Sequence, residues 1–292
     1  MGEAVAKPAD RLAIIAGGGL LPLYVAEAAR AAGEDPFVFR LHDEADRDFS
    51  GFDSAPIGIG DMAGLSAMFK SRGIGRVVMS GSVRRRPAFA DIRANFRSLL
   101  KLPAVLKTLM AGGDDTVLKM VIELIEAQGC RVIGVQEIAP QLLASTGPFG
   151  ALSPSADDLR DIDIAAGAAR ALGLLDVGQG AVSVGGRIVA LEAVEGTDRM
   201  LERVAALREE GRISPQRRGV LVKLCKPQQD LRADLPAIGV STVAHAKAAG
   251  LAGIAVEAGR ALVLERQKTL EAADAAGLFI IGIERPRAEL KS

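Results

Sequence analysis

The sequence predicts an α/β protein: a Rossmann-like parallel sheet in the N-terminal part, then a mixed α+β domain. Three observations carry this. Short apolar runs of strand length alternate with helix-patterned stretches through the first half of the chain, as β–α–β units require. A glycine triplet, Gly17-Gly18-Gly19, separates the first run from the first helix pattern. In the second half, strand-like runs follow one another around a Gly-Gly turn, which parallel β–α units alone would not produce.

In chain order, Leu12–Ala16 is a short buried strand, and Leu20–Ala32 a helix with Pro22 in its first turn, where a missing N–H costs nothing. Gly33 closes it. Strands follow at Pro36–Leu41 and Ala55–Ile59, then a helix capped by Asp61 through Arg72, and a strand at Arg76–Met79. Phe89–Met110 is apolar, helix-compatible and broken by Pro103; it reads as core or as the wall of an apolar chamber. Asp115–Gln128 is helical and Arg131–Val135 a fifth strand. These patterns place one domain over 1–140. A Pro-, Gly- and Ser-rich stretch at 141–157 reads as a linker, and 158–292 as the second domain. There, Asp158–Leu172 is helical, Val182–Leu191 a hairpin turning at Gly185-Gly186, and Thr197–Glu210 a helix. Strands are expected at Val220–Leu224, Gly253–Val256, Leu262–Leu264 and Leu278–Gly282.

Composition narrows the function classes. With 292 residues and 49% hydrophobic content the chain buries a real core and is not disordered. Its 36 basic and 36 acidic side chains cancel, which argues against nucleic-acid binding by bulk charge. With 3% aromatic residues and no Trp there is no base-stacking platform either. Cys130 and Cys225 lack metal-type spacing and read as buried free thiols in a reducing compartment. The opening residues contain no apolar signal-peptide core, and no stretch has the ~18–20 apolar residues of a membrane span. The expectation is a cytoplasmic protein, touching a membrane only from the side. A homodimer would give so apolar a chain extra cover.

Four segments carry candidate chemistry. Gly17, Gly18 and Gly19, between a strand and a helix, suit close approach of backbone N–H groups to a phosphate, with a tight turn as the plain alternative. Ser80 and Gly81 follow another strand and lead into Arg84-Arg85-Arg86, which suits phosphate at a strand's carboxyl end. Glu195-Gly196-Thr197-Asp198 offers Thr197 as an N-cap and Asp198 in the first turn, with Glu195 unexplained by capping. The densest cluster, Lys223 to Asp234 (KLCKPQQDLRAD), interleaves Lys223, Lys226 and Arg232 with Asp230 and Asp234, plus Gln228 and Gln229. Carboxylates suit Mg²⁺ and bases suit phosphate oxygens; a solvated charge run is the alternative. Familiar hydrolase solutions drop out. Only His42 and His245 exist, no Ser sits in G-x-S-x-G, and Arg208-Glu209-Glu210-Gly211 lacks the rest of a Nudix box.

Three strings, Asp176–Met200, Gly219–Gly239 and Ala249–Arg260, closely resemble the LpxI-type UDP-2,3-diacylglucosamine pyrophosphatases of lipid A biosynthesis. Ile15–Pro22 (IAGGGLLP) and Gly113–Glu126 are similar too, so the likeness covers nearly the whole chain beyond Leu12. The resemblance implies a Mg²⁺-dependent hydrolase at the inner face of the inner membrane, bound peripherally. It implies cleavage of UDP-2,3-diacylglucosamine to UMP and 2,3-diacylglucosamine 1-phosphate (lipid X), with water directed at the sugar-side phosphorus. The first domain would bind nucleotide, and the second would carry catalysis and lipid binding.

Joined to the residue-level pattern, this gives expected roles. Asp230 is the principal metal ligand, assisted by Asp234 or Asp198. Lys223, Lys226 and Arg232 hold phosphate oxygens, and Glu195 or Asp198 positions the nucleophile. Gly17, Gly18, Gly19, Ser80 and Gly81 flank the UMP part, while Thr197 and Gln229 contact substrate. Two alternatives stay open: a UDP-sugar sensor without hydrolysis, and a nicotinamide-dependent oxidoreductase, for which Asp43 is only a loose candidate for the ribose-binding acid.

Overall fold

The computed structural model describes residues 10–83 and 114–285. It divides into two compact units, one of 1–141 with 230–234, the other of 142–229 with 235–292.

The first unit holds β1 (Arg11–Ala16), α1 (Leu21–Ala31), β2 (Phe37–Leu41), β3 (Asp53–Ile57), α2 (Met62–Arg72), β4 (Ile74–Ser80), α3 (Asp114–Glu126), β5 (Arg131–Ile133) and the short α4 (Val135–Ile138). Its five strands run in the order β3-β2-β1-β4-β5, and every neighbouring pair is parallel. The order reverses between β2 and β4 around the central β1. That is the topological switch point where open α/β sheets take ligands. Local chemistry agrees with the elements. Pro22 stands at the start of α1, and the Asp61 side chain accepts from Gly64 N–H at 2.9 Å to cap α2. Gly73, at φ +65°, ends that helix in the left-handed conformation open to glycine. The core between sheet and helices α2 and α3 is built on Phe37, Phe39, Phe69, Ile122 and Ile125.

The second unit opens with a 3₁₀ turn (Pro140–Leu142) that straddles the boundary. It continues through β6 (Gly147–Pro148), α5 (Ala156–Leu174), β7 (Gly180–Val184), β8 (Arg187–Leu191), α6 (Gly196–Glu209), β9 (Val220–Lys223), β10 (Ala237–Ile238), α7 (Val240–Ala248), β11 (Gly253–Glu257), β12 (Leu262–Val263), α8 (Arg266–Ala276) and β13 (Phe279–Ile283). The main sheet has the order β6-β13-β11-β9-β7-β8. Strands β9, β11 and β13 are parallel; β7 runs against β9 and β8, and β6 against β13. Strands β7, β9 and β11 are buried along their whole length because helices cover both faces. Ala165 and Ala169 of α5 pack on Val220, Val222 and Ala255. On the opposite face Met200, Val204, Val243 and Ala273 from α6, α7 and α8 pack on Leu221, Ile254 and Ile280. β10 and β12 form a separate parallel pair.

The α/β class and the hairpin at Gly185-Gly186 stand as expected, with φ of +59° and +83° at the two glycines. The stretch read as a linker contributes β6 and ends in the capping box of α5. There Ser155 accepts from Asp158 N–H at 3.3 Å, and Asp158 accepts from Ser155 N–H at 2.9 Å. Phe89–Met110, Arg84–Arg86 and Gly113 lie outside the described residues. No helix among the described residues is long and apolar enough to cross a membrane.

Candidate functional site

In the first unit the loops after β1 and β4 meet at the switch point. Gly17 N–H donates to Ser80 O and Gly18 N–H to Ser82 O, both at 2.8 Å, and Ser82 N–H returns to Gly18 O at 3.0 Å. A Cβ on Gly17 would stand 2.4 Å from Ser82 O, and one on Gly81 would stand 2.7 Å from Gly18 O. These glycines let two backbones touch. Gly19, at φ +89°, faces open space on its Cβ side, and its N–H donates to Asp46 at 2.9 Å. The three N–H groups expected to cradle phosphate therefore each have an acceptor within the protein. Ser80 is buried, and its Oγ has no partner among the described residues.

Asp230, Arg232 and Asp234 also belong to this unit. Arg232 grips Asp230 in a two-pronged pair, Nε to Oδ1 at 3.0 Å and Nη2 to Oδ2 at 2.8 Å, while its own backbone N–H donates to Oδ1 at 3.0 Å. Its Nη1 donates to Glu126 of α3 at 2.9 Å. The Arg232 hydrogen bonds hold the Asp230 carboxyl below the usual carboxylate range, against the opposing effect of burial, and the Lys119 charge adds to the lowering. Asp230 in turn pushes the guanidinium's pKa up. Three of the five guanidinium N–H groups are used in these bonds, leaving two without an acceptor among the described residues.

Beside this clamp lies an apolar cavity of about 190 Å³. Ile15 and Met79 from the sheet, Met62 and Leu65 from α2, and Val121 and Ile125 from α3 form its walls. Gly58, Gly60, Gly81 and Ala233 also line it, and Ala233 follows Arg232 directly.

In the second unit, strands β8, β9, β11 and β13 all point the same way, so their carboxyl ends share one edge. Lys223 ends β9, is 5% exposed, and donates through Nζ to Ala237 O at 3.1 Å. Lys226 pairs with Asp176 at 2.6 Å, and Gln228 donates to Gly173 O at 2.7 Å, so this run is fastened to the last turn of α5. Gly173 allows that approach, since a Cβ there would come 3.0 Å from Pro227. Buried Gln229 accepts from Lys226 N–H at 3.0 Å.

Three acids went unnoticed in the sequence. Glu192, 6% exposed just past β8, accepts from Thr197 Oγ1 at 2.8 Å, and its Oε2 has no partner among the described residues. Glu257, 1% exposed at the end of β11, accepts from Cys225 N–H at 3.0 Å. Asp176 holds Lys226 from a left-handed φ of +55°. Placement at strand ends was the available signal for Glu192 and Glu257.

The capping expectation is corrected here. Thr197 turns back to Glu192 because α6 begins one residue earlier, with Glu195 at the N-cap and no side-chain cap. Glu195 pairs with Arg203 at 3.1 Å, and Asp198 accepts from Ser241 of α7 at 3.1 Å. The Lys223–Asp234 cluster is thus shared between units: Lys223, Lys226 and Gln229 with the second, Asp230, Arg232 and Asp234 with the first.

Known proteins decide what such an arrangement belongs to. Models of the LpxI N-terminal and C-terminal domains match residues 11–142 and 145–281. The chain belongs to the LpxI family. The UDP-2,3-diacylglucosamine pyrophosphatase LpxI of Caulobacter vibrioides is 41% identical over 280 residues, spanning 94% of this chain and 99% of that protein. Among solved structures, an isoflavone reductase overlaps 94% of this chain and 78% of its own at 11% identity and a TM-score of 0.27, too low to bear on fold or function. Membership in LpxI removes the basis for a nicotinamide-dependent reading, for which Asp43 was only a loose candidate.

Proposed function

We propose that this LpxI-family chain hydrolyses the pyrophosphate bond of UDP-2,3-diacylglucosamine to UMP and 2,3-diacylglucosamine 1-phosphate, with Mg²⁺, as a step of lipid A biosynthesis. Support comes first from the 41% identity to the Caulobacter pyrophosphatase across nearly the whole of both chains. The structural observation that carries the reading is Asp230, a carboxylate held in place by the two-pronged Arg232 pair.

The donor set suits magnesium of one particular kind. No group of three His, Cys, Asp or Glu side chains among the described residues forms a metal cage. Mg²⁺ seldom needs one: it keeps several waters and takes one or two carboxylates plus substrate phosphates. Asp230 and Asp234 would hold such an ion arriving with its diphosphate. Bound there, it would supply charge neutralisation at the phosphate oxygens, worth several kcal/mol in the transition state.

The chain's own groups do the rest. A carboxylate whose pKa is lowered by an arginine is a weak base, so Asp230 serves as a ligand and fixed charge and does not take the proton from water. The two Arg232 donors without an acceptor among the described residues suit a phosphate oxygen. Water adds to the sugar-side phosphorus and gives up its proton to solvent, the bridging P–O bond breaks, and UMP leaves with that oxygen. Positioning and charge supply most of the rate in such transfers. A diacyl substrate lives in a bilayer, so the enzyme would work peripherally at the inner face of the inner membrane.

The test is direct. Incubation with UDP-2,3-diacylglucosamine and Mg²⁺ should release UMP, and EDTA should stop it. Asp230→Asn, with an unchanged circular dichroism spectrum, should lose at least about 100-fold in kcat, the scale of one lost electrostatic group. Wild-type turnover in that folded variant would remove Asp230 from the reaction.

A further inference from the structure

We infer that Arg260 and Arg285, poised by the buried carboxylate of Glu257, form a phosphate-binding site of the second unit. All three stand at the carboxyl ends of its parallel strands, the edge where open α/β sheets take ligands. Glu257 ends β11, Arg260 is three residues on, and Arg285 lies two residues beyond β13. A turn fixes Arg260. Its N–H donates to Glu257 O at 3.2 Å around Gly259, whose φ of +70° is a left-handed conformation that favours glycine. Glu257 is 1% exposed and spends one carboxylate oxygen, Oε2, on Cys225 N–H at 3.0 Å. The other, Oε1, is buried without a hydrogen-bond partner among the described residues, a costly state for a carboxylate. What faces it is the Nε of Arg260 and the Nε of Arg285, each at 3.7 Å.

At that distance neither contact is a hydrogen bond, so Glu257 draws in both guanidinia without consuming their donors. Each contact runs through Nε, and the Nη1–Nη2 fork at the far end of each guanidinium has no acceptor among the described residues. Arg208, Arg218 and Arg266 of the same unit behave differently, giving Nη groups to backbone carbonyls or to Ser145. The Arg260 and Arg285 side chains are 36% and 39% exposed, so a solute reaches both forks. Two guanidinia against one carboxylate leave an excess positive charge, which selects an anion. A carboxylate ligand, with two oxygens in one plane, is satisfied by one fork, whereas tetrahedral phosphate offers oxygens to both. The ligand class is therefore phosphate, free or carried on a lipid headgroup.

The experiment uses the full-length protein. Isothermal titration with inorganic phosphate, in EDTA so that no divalent ion takes part, should show a saturable site. Arg260→Gln and Arg285→Gln should each weaken it at least about tenfold, the fold-change of one lost charge-assisted hydrogen bond. Arg285→Lys, which keeps the charge and loses the fork, should recover only part of that affinity. Arg212→Gln, the same change of charge at another exposed arginine of the unit, should leave phosphate affinity unchanged. Vesicles separate the two sources. Retention of the wild type, but not of Arg285→Gln, on phosphatidylglycerol vesicles and not on phosphatidylcholine vesicles assigns the site to an anionic headgroup. Phosphate binding with no retention on either assigns it to soluble phosphate. If one glutamine variant does not fold, the other decides. Absence of saturable phosphate binding by the wild type, unchanged affinity in the folded glutamine variants, or an equal loss in Arg212→Gln overturns the site. None of these readouts involves UMP release, so the site and the hydrolase reading stand or fall separately.

Discussion

At the scale of the residue, the Asp230–Arg232 pair has a pH signature with a definite sign. The folded-state pKa of Asp230 lies below its unfolded value, chiefly through the Arg232 hydrogen bonds. A depressed carboxylate contributes stability that is fully present above the unfolded value of about 3.9, and loses it as pH falls through the lower folded value. The clamp of 230–234 onto α3 should therefore be indifferent to pH across the neutral and mildly acidic range. A carbon-detected NMR titration of the Asp230 carboxyl should have its midpoint below about 3.9. Arg232→Met should move that midpoint up. A midpoint insensitive to Arg232 would mean the pairing does not set the charge. The same scale explains Cys130, whose thiol is pushed up by burial alone and has no catalytic activation.

At the scale of the element, one buried acid locks the second unit's hairpin to its longest helix. Asp161 of α5, 5% exposed, accepts from Ser183 Oγ at 2.6 Å, Gly185 N–H at 2.9 Å and Gly186 N–H at 2.7 Å. Asp161→Ala would strand two turn amides and a hydroxyl, so urea unfolding should show a loss of about 3 kcal/mol or more, given ~1–3 kcal/mol per buried group left unsatisfied. A loss under about 1 kcal/mol would show that water replaces the carboxylate. The turn itself was legible in the sequence, because Gly185-Gly186 between two β-branched runs has few other uses. Asp161 was not, since one of four aspartates in the first half of an Ala-rich helix looks solvated until a tertiary partner is known. Helices α7 and α8 went unread for related reasons. VSTVAHAKA is dense in β-branched residues that favour strands, and RQKTLEAADAA buries only Thr269 and Ala273, too thin a stripe to register as amphipathic. Most of the parallel strands were easy, being short apolar runs, several of them closed by glycine as β1, β4 and β5 are; the two-residue β10 was too short to register. Their order in the sheet was not, because register and neighbours are decided by long-range packing.

At the scale of the whole molecule, neither unit is a single run of chain. The first takes 230–234 from within the sequence of the second. The motif KLCKPQQDLRAD was visible as dense and charged, yet nothing local says that its first half fastens to α5 and its second half to α3. Residues 1–141 expressed alone should be less stable to urea than the same residues carrying Asp230–Asp234 on a flexible tether. The difference should be about 1–2 kcal/mol, what a partly exposed charge-assisted network provides. Equal stability would mean that the five residues rest on the first unit without holding it. The discontinuity also constrains how such a gene can change. A crossover between residues 141 and 142 would look, on the linear map, like a clean exchange of one module for another. It would instead leave the incoming half searching for five foreign residues to complete its wall and its ion pair, so productive chimaeras should need two breakpoints more, one on each side of 230–234.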